Sequence, residues 1–309
     1  MTINILQFLA GVIVLYFGAE FLIRSSKTIS AKYNISPVVI GITLVSLGTS
    51  LPELIVSIIA NLRGEPGMAL GNVIGSNVTN ISLVLGTTAI FSPISFSFAK
   101  IRYDMYFLIL ITFLPLGFIF MGGLVLWQGM VLILVFIIYC VYLIKSSQLD
   151  DKEDTISAYE NNYLLVIQVI AGIIGLALGA TLFVEGAKGI ADAMGVSSLA
   201  IGMSIVALGT SLPELAASLS AAKHRETGIV FGNIIGSNIM NIVLVLGIAI
   251  LFGNIPVDFT DIITQGFFMV ILTGGLLCLL KWKDRVTKLS GSIFVLIYLA
   301  FIYFNFQTV

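Results

Sequence analysis

The chain alternates long apolar runs with short polar or charged joins. Ten runs are long enough to cross a membrane: residues 4–23, 38–61, 67–91, 104–121, 124–144, 163–183, 199–222, 228–252, 262–280 and 290–306. About 20 apolar residues in a helix span the ~30 Å hydrocarbon core of a bilayer, so each run predicts a transmembrane helix. The runs are continuous, unlike the short alternating segments of a membrane β-barrel. The first has no basic leader or small-residue cleavage site, and is expected to be retained as a helix. The predicted fold class is an all-α integral membrane protein with ten transmembrane helices.

Composition agrees: 58% of the 309 residues are hydrophobic and 10% charged, with a mean hydropathy of +1.10. A soluble domain keeps about a quarter of its residues charged. The lipid bilayer is therefore the expected partner, and nucleic acid is not. Counting Lys and Arg in alternating joins puts thirteen on one side and only Arg63 and Lys188 on the other. Basic joins stay cytoplasmic, so both termini are expected outside, in the cell membrane of a prokaryote. Cys140 and Cys278 fall within apolar runs and read as packing residues.

The second half repeats the first at an offset of 161 residues: Ile40–Gly86 and Ile201–Gly247 share 27 of 47 positions without a gap. Five helices per half is an odd number, so the halves, 1–144 and 163–309, should enter the membrane from opposite sides. Such inverted repeats underlie alternating access in many transporters. The join 145–162 is polar and acidic, and reads as a cytoplasmic linker.

The repeats carry the chemistry. GTSLPE occurs at 48–53 and 209–214, each copy inside an apolar run. Pro52 and Pro213 remove a donor one turn into the helix, which should leave carbonyls near Ser46 and Ala207 without their usual partners. Such breaks survive in lipid only beside protein or an aqueous cavity. Thr49, Ser50 and Glu53, and likewise Thr210, Ser211 and Glu214, share one helix face. A charge at bilayer depth costs on the order of 2.5–3.5 kcal/mol and usually marks an ion or proton pathway. No Lys or Arg lies in the four runs carrying these repeats, so protons or bound cations must supply the counter-charge. GNVIGSNVTN (71–80) and GNIIGSNIMN (232–241) add Ser76, Asn80, Ser237 and Asn241, one turn apart in pairs, with Asn72 and Asn233 further back. Glycines 71, 75, 232 and 236 suit close helix packing. The set is all oxygen, with no Cys or His, which argues against zinc, copper or iron. Six to eight oxygens suit Ca²⁺, and Na⁺ accepts the same ligands.

With GTSLPE and GNxIGSNxxN in two copies, the chain resembles the sodium/calcium exchanger family, within the wider cation/calcium antiporters. The resemblance implies a ten-helix antiporter without large cytosolic calcium-sensing domains, whose first and sixth helices slide across the central four. It places the ion ligands at Thr49, Ser50, Glu53, Ser76, Asn80, Thr210, Ser211, Glu214 and Ser237, with the carbonyls of Ser46 and Ala207. Many family members carry an aspartate where this chain has Asn241, which leaves stoichiometry, proton competition and any K⁺ requirement open.

The expected function is exchange of Ca²⁺ for Na⁺ by a monomer that is not an enzyme and holds no cofactor. Ca²⁺/H⁺ antiport through the same glutamates is the alternative, since burial can raise a carboxyl into the range where it carries protons. An intramembrane protease is disfavoured because His224, the only histidine, sits in the join after the seventh run, where a solvated position is expected. A channel would need a continuous pore.

Overall fold

The structure is a computed structural model that describes residues 1–146, 161–194 and 207–307. The linker 145–162 and the first part of the run 199–222 fall largely outside the described residues. In chain order the helices are α1 (Thr2–Tyr33), α2 (Pro37–Thr49), α3 (Leu51–Leu62), α4 (Pro66–Phe91), α5 (Arg102–Phe120), α6 (Leu126–Ser146), α7 (Asn162–Ala193), the short α8 (Ala207–Gly209), α9 (Leu212–Lys223), α10 (Thr227–Leu251), α11 (Phe259–Lys283) and α12 (Lys288–Gln307). Among the described residues, seven helices are long and apolar enough to cross a membrane, and the bent pair α2–α3 makes an eighth. The protein is an all-helical membrane protein. Among the described residues the β content is one antiparallel pair, β1 (Ile94–Ser95) with β2 (Arg285–Val286), in the register Ile94↔Val286, plus the bridge Leu124↔Ile255.

The chain divides into two compact units that each draw on both halves of the sequence. The first comprises residues 1–49 and the described part of 147–233. Its frame is the pairing of α1 with α7, each 32 residues long and longer than the runs 4–23 and 163–183 that predict them. The excess in α1 is polar, and the helix ends only where Asn34 turns left-handed at φ 54°. Small residues set the α1–α7 crossing. A Cβ at Gly18 would sit 2.7 Å from the Leu176 nitrogen, and one at Gly172 would sit 2.8 Å from the Leu22 nitrogen. In lipid, where apolar surface gains nothing by leaving the solvent, such backbone proximity supplies the van der Waals contact that holds helices together. Gly41 approaches Gly232 in the same way, so the predicted close packing is met at Gly232. At Gly71 and Gly75, among the described residues, nothing lies within 4 Å of an added Cβ.

The polar end of α1 is tied to the end of α9. Glu20, buried on α1, accepts from Arg24 and Ser220 and meets the His224 ring nitrogen at 2.7 Å, with Lys223 at 3.7 Å. Lys27 pairs with Glu226 at 2.6 Å. His224 is therefore engaged rather than solvated. The expectation missed this because it weighed His224 only against its chain neighbours, and Glu20 lies 204 residues away.

The second unit comprises residues 50–146 and 234–309, described as far as 307. Here α3 and α4 form a hairpin through Gly64, at φ 77°. Asn61 at the end of α3 donates to the carbonyls of Ala249 and Gly253, both at 2.7 Å. These tie the end of α3 to the end of α10, where the Ala249 carbonyl also accepts the Phe252 N–H at 3.1 Å. Gly86 of α4 lies against Gly291 of α12, and Gly129 of α6 lies against Gly247 and Ile250 of α10. Buried Asp104 accepts from the Tyr139 hydroxyl at 2.7 Å, which joins α5 to α6.

Gly18→Ala is expected to force α1 and α7 apart and destabilise the protein by about 1–3 kcal/mol, the usual range for overpacking. Gly117→Ala, where nothing lies within 4 Å of the added carbon, should leave thermal melting in detergent unchanged or slightly raised.

Candidate functional site

The first GTSLPE copy lies where the helix changes character. After Pro37–Ile40 the backbone widens into a π turn over Gly41–Val45, returns to α over Ser46–Thr49, and breaks at Ser50 (φ −86°, ψ 5°). It resumes as α3 with Pro52 in its first turn, bent by 45° from α2. A proline is tolerated there because its missing N–H would be unbonded at a helix start anyway. Side-chain hydroxyls bond the backbone here. Ser46 donates to the Ile42 carbonyl, and the Thr49 hydroxyl lies 3.3 Å from the Ser46 carbonyl. The second copy breaks alike: the turn containing Ala207 ends at Gly209, Ser211 takes φ −89° and ψ 4°, and α9 begins at Leu212. Thr210 lies in that break, half-buried.

Both acids sit in the first turn after their break, Glu53 on α3 and Glu214 on α9, and both are 0% exposed. Around each, the same three residues recur at the 161-residue offset. Asn72 donates to the Glu53 carbonyl at 3.1 Å and to Ser57 at 2.9 Å, while Asn233 donates to the Glu214 carbonyl at 3.3 Å and to Ser218 at 3.0 Å. The amides thus grip the backbone of the acid-bearing turn. Asn233 also accepts from the Thr49 hydroxyl at 3.2 Å.

The third-helix motifs are not the uniform α-helices their spacing predicts. A π segment starts at Asn80 (Asn80–Leu85) and another at Asn241 (Asn241–Val245). π turns cluster at functional sites because each adds one residue to the turn and redirects the side chains that follow. Asn80 and Asn241 are both completely buried, as are Ser46, Thr49 and Ser237; Ser50, Ser76 and Ser211 are nearly so. Asn80 donates weakly to the Asn238 amide oxygen at 3.4 Å, which joins α4 to α10. Among the described residues, no hydrogen-bond partner reaches either amide atom of Asn241, the amide oxygens of Asn77 and Asn80, or the Ser211 hydroxyl. Buried polar atoms are nearly always bonded, and an unbonded one costs about 1–3 kcal/mol. The oxygens among them are suited to a cation.

Of the twelve predicted residues, direct contacts join Ser46 to Thr49, and Asn233 links Thr49 to the turn of Glu214. In the sequence Asn72 and Asn233 read only as neighbours along a face, and Ser57 and Ser218 lie outside the residues predicted for the site. The available signal was the offset itself, because 57 and 218 are matched serines one turn past the matched glutamates.

Comparison with known proteins gives this geometry its context. The sodium/calcium exchanger protein family matches residues 3–145 and 164–307, and the chain belongs to that family. An uncharacterized membrane protein of Methanocaldococcus jannaschii is 35% identical over 292 residues, covering 94% of each chain. The sodium/calcium exchanger MaX1 of Methanosarcina acetivorans is 28% identical over 346 residues, covering 98% of each. Among solved structures, the sodium-calcium exchanger NCX_Mj soaked with zero Na⁺ and Ca²⁺ superposes with a TM-score of 0.87 at 36% identity, covering 98% of this chain and 99% of that one. The fold and family together make the protein a cation/Ca²⁺ antiporter.

Glu53→Gln and Glu214→Gln preserve shape and remove one charge each. Each is expected to cut Ca²⁺ transport by about 100-fold or more, matching the ~3 kcal/mol lost when a buried charge pair is broken. Neither should lower the melting temperature in ion-free buffer, since a buried carboxylate is itself costly.

Proposed function

We propose that the protein exchanges Ca²⁺ for Na⁺ across the cell membrane by alternating access. The reading is carried by one observation: Glu53 and Glu214, 161 residues apart in a duplicated sequence, are both completely buried in runs that hold no Lys or Arg. Two carboxylates balance one Ca²⁺, and released Na⁺ ions can take its place in turn. The proposed ligands are the side chains of Thr49, Ser50, Glu53, Ser76, Asn80, Thr210, Ser211, Glu214, Ser237 and Asn241, with the backbone carbonyls of Ser46 and Ala207. Hydroxyl, amide and carboxylate oxygens suit Ca²⁺ at about 2.3–2.6 Å and tolerate Na⁺. Similarity to a sodium/calcium exchanger across nearly the whole length of both chains favours Na⁺ as the counter-ion.

The topology proposed with this function is ten membrane spans in two inverted halves, 1–144 and 163–309, joined by a cytoplasmic linker with both termini outside. Thirteen of the fifteen basic residues then face the cytoplasm. One chain carries both acids, so a monomer suffices. Three Na⁺ against one Ca²⁺ would move one net charge, worth ~2.3 kcal/mol per 100 mV.

Proteoliposomes loaded with Na⁺ are expected to accumulate ⁴⁵Ca²⁺ when external Na⁺ is removed, and a K⁺-diffusion potential should change the rate. Uptake driven by a pH gradient in Na⁺-free buffer, with none driven by Na⁺, would instead establish Ca²⁺/H⁺ antiport.

A further inference from the structure

An asparagine offers a cation its amide oxygen and carries N–H donors on the other end of the same amide, so it can ligate only when turned one way. Turning the amide over exchanges the two ends with little change of shape. Asn80 is completely buried, and its amide oxygen meets no hydrogen-bond partner among the described residues. Its nitrogen lies 3.4 Å from the amide oxygen of Asn238, which is 1% exposed. The Asn238 nitrogen is in turn unbonded among the described residues. Within those residues, the contact between the two amides is what orients both.

Two arrangements keep that contact. In the first, Asn80 donates to Asn238 and the Asn80 oxygen is left for a ligand. In the second, both amides are turned, Asn238 donates to Asn80, and N–H takes the place of the oxygen. Turning one amide alone sets like ends together. A cation accepts only the first arrangement, because an N–H dipole repels it. The matched asparagine of the first repeat is engaged differently: Asn77 donates to the Val73 carbonyl of its own helix at 2.8 Å, and both amide atoms of Asn241 are unbonded among the described residues.

We propose that Asn238 is a positioning residue for ion binding: its amide oxygen takes the Asn80 N–H, which turns the Asn80 oxygen to the cation. The inference rests on the ion-site reading above, in which Asn80 is a ligand. Without the Asn238 oxygen the Asn80 amide loses its anchor, and the arriving ion must order it. The consequence falls on affinity.

Equilibrium ⁴⁵Ca²⁺ binding to the purified protein, read as a double-mutant cycle, tests this. Asn238→Leu keeps the volume, removes the acceptor and breaks no other side-chain hydrogen bond among the described residues. It should raise the half-saturating Ca²⁺ concentration by about three- to tenfold, the worth of one hydrogen bond. In an Asn80→Asp background the same change should cost less than about twofold, because a carboxylate shows the ion an oxygen whichever way it turns. No loss in the native background, or an equal loss in both, would overturn the positioning role. Asn80→Ala separates this from the reading beneath it: unchanged Ca²⁺ affinity in that variant would remove Asn80 from the ligands, and the proposal with it. If the Asn238→Leu protein does not fold, Asn238→Ala, which also removes the acceptor, runs the same cycle with the same outcomes.

Discussion

A carboxylate in a low-dielectric interior must acquire a positive partner or a proton, and this chain buries Glu53 and Glu214 completely in runs that encode no cationic side chain. Much of the architecture follows from that constraint. Each acid sits in the first turn of a helix segment just after a break, near the positive end of the helix dipole. That field offsets part of the cost of burial. The remainder is proposed to come from the transported ion, which ties loading of the site to the stability of the protein around it.

The breaks create a second problem, since backbone groups that lose partners inside a membrane protein must find others. The structure answers with short polar side chains. The Thr49 hydroxyl serves the Ser46 carbonyl at the end of α2, and Asn72 and Asn233 add side-chain donors to the Glu53 and Glu214 carbonyls in the turns that follow the breaks. Glycines let the surrounding backbones come close enough for these short side chains to reach, as at Gly41 and Gly232. Small residues at the crossings and small polar residues at the breaks are therefore parts of one solution.

The sequence made the acids, the proline breaks and the flanking hydroxyls legible because they violate an apolar pattern, and because they do so twice at one offset. It also placed most of the long helices, as hydropathy alone sets their cores. The π segments at Gly41, Asn80 and Asn241 were not legible: they occupy Ile-, Leu- and Val-rich stretches whose composition is the same for α and π turns. The polar end of α1 was also missed, because Arg24–Tyr33 continues as helix through contacts with residues 220–226 rather than through lipid. The pairing of Glu20 with His224 spans 204 residues and has no repeat to announce it. Asn233 was visible as a motif residue, but its role depends on which atoms it faces.

The central claim, that Glu53 and Glu214 together balance one transported Ca²⁺, is tested most directly by equilibrium ⁴⁵Ca²⁺ binding to the purified protein. The account predicts one Ca²⁺ per chain, displaced by Na⁺, with binding lost when either glutamate becomes glutamine. Two Ca²⁺ per chain, or full binding retained by either single variant, would contradict it.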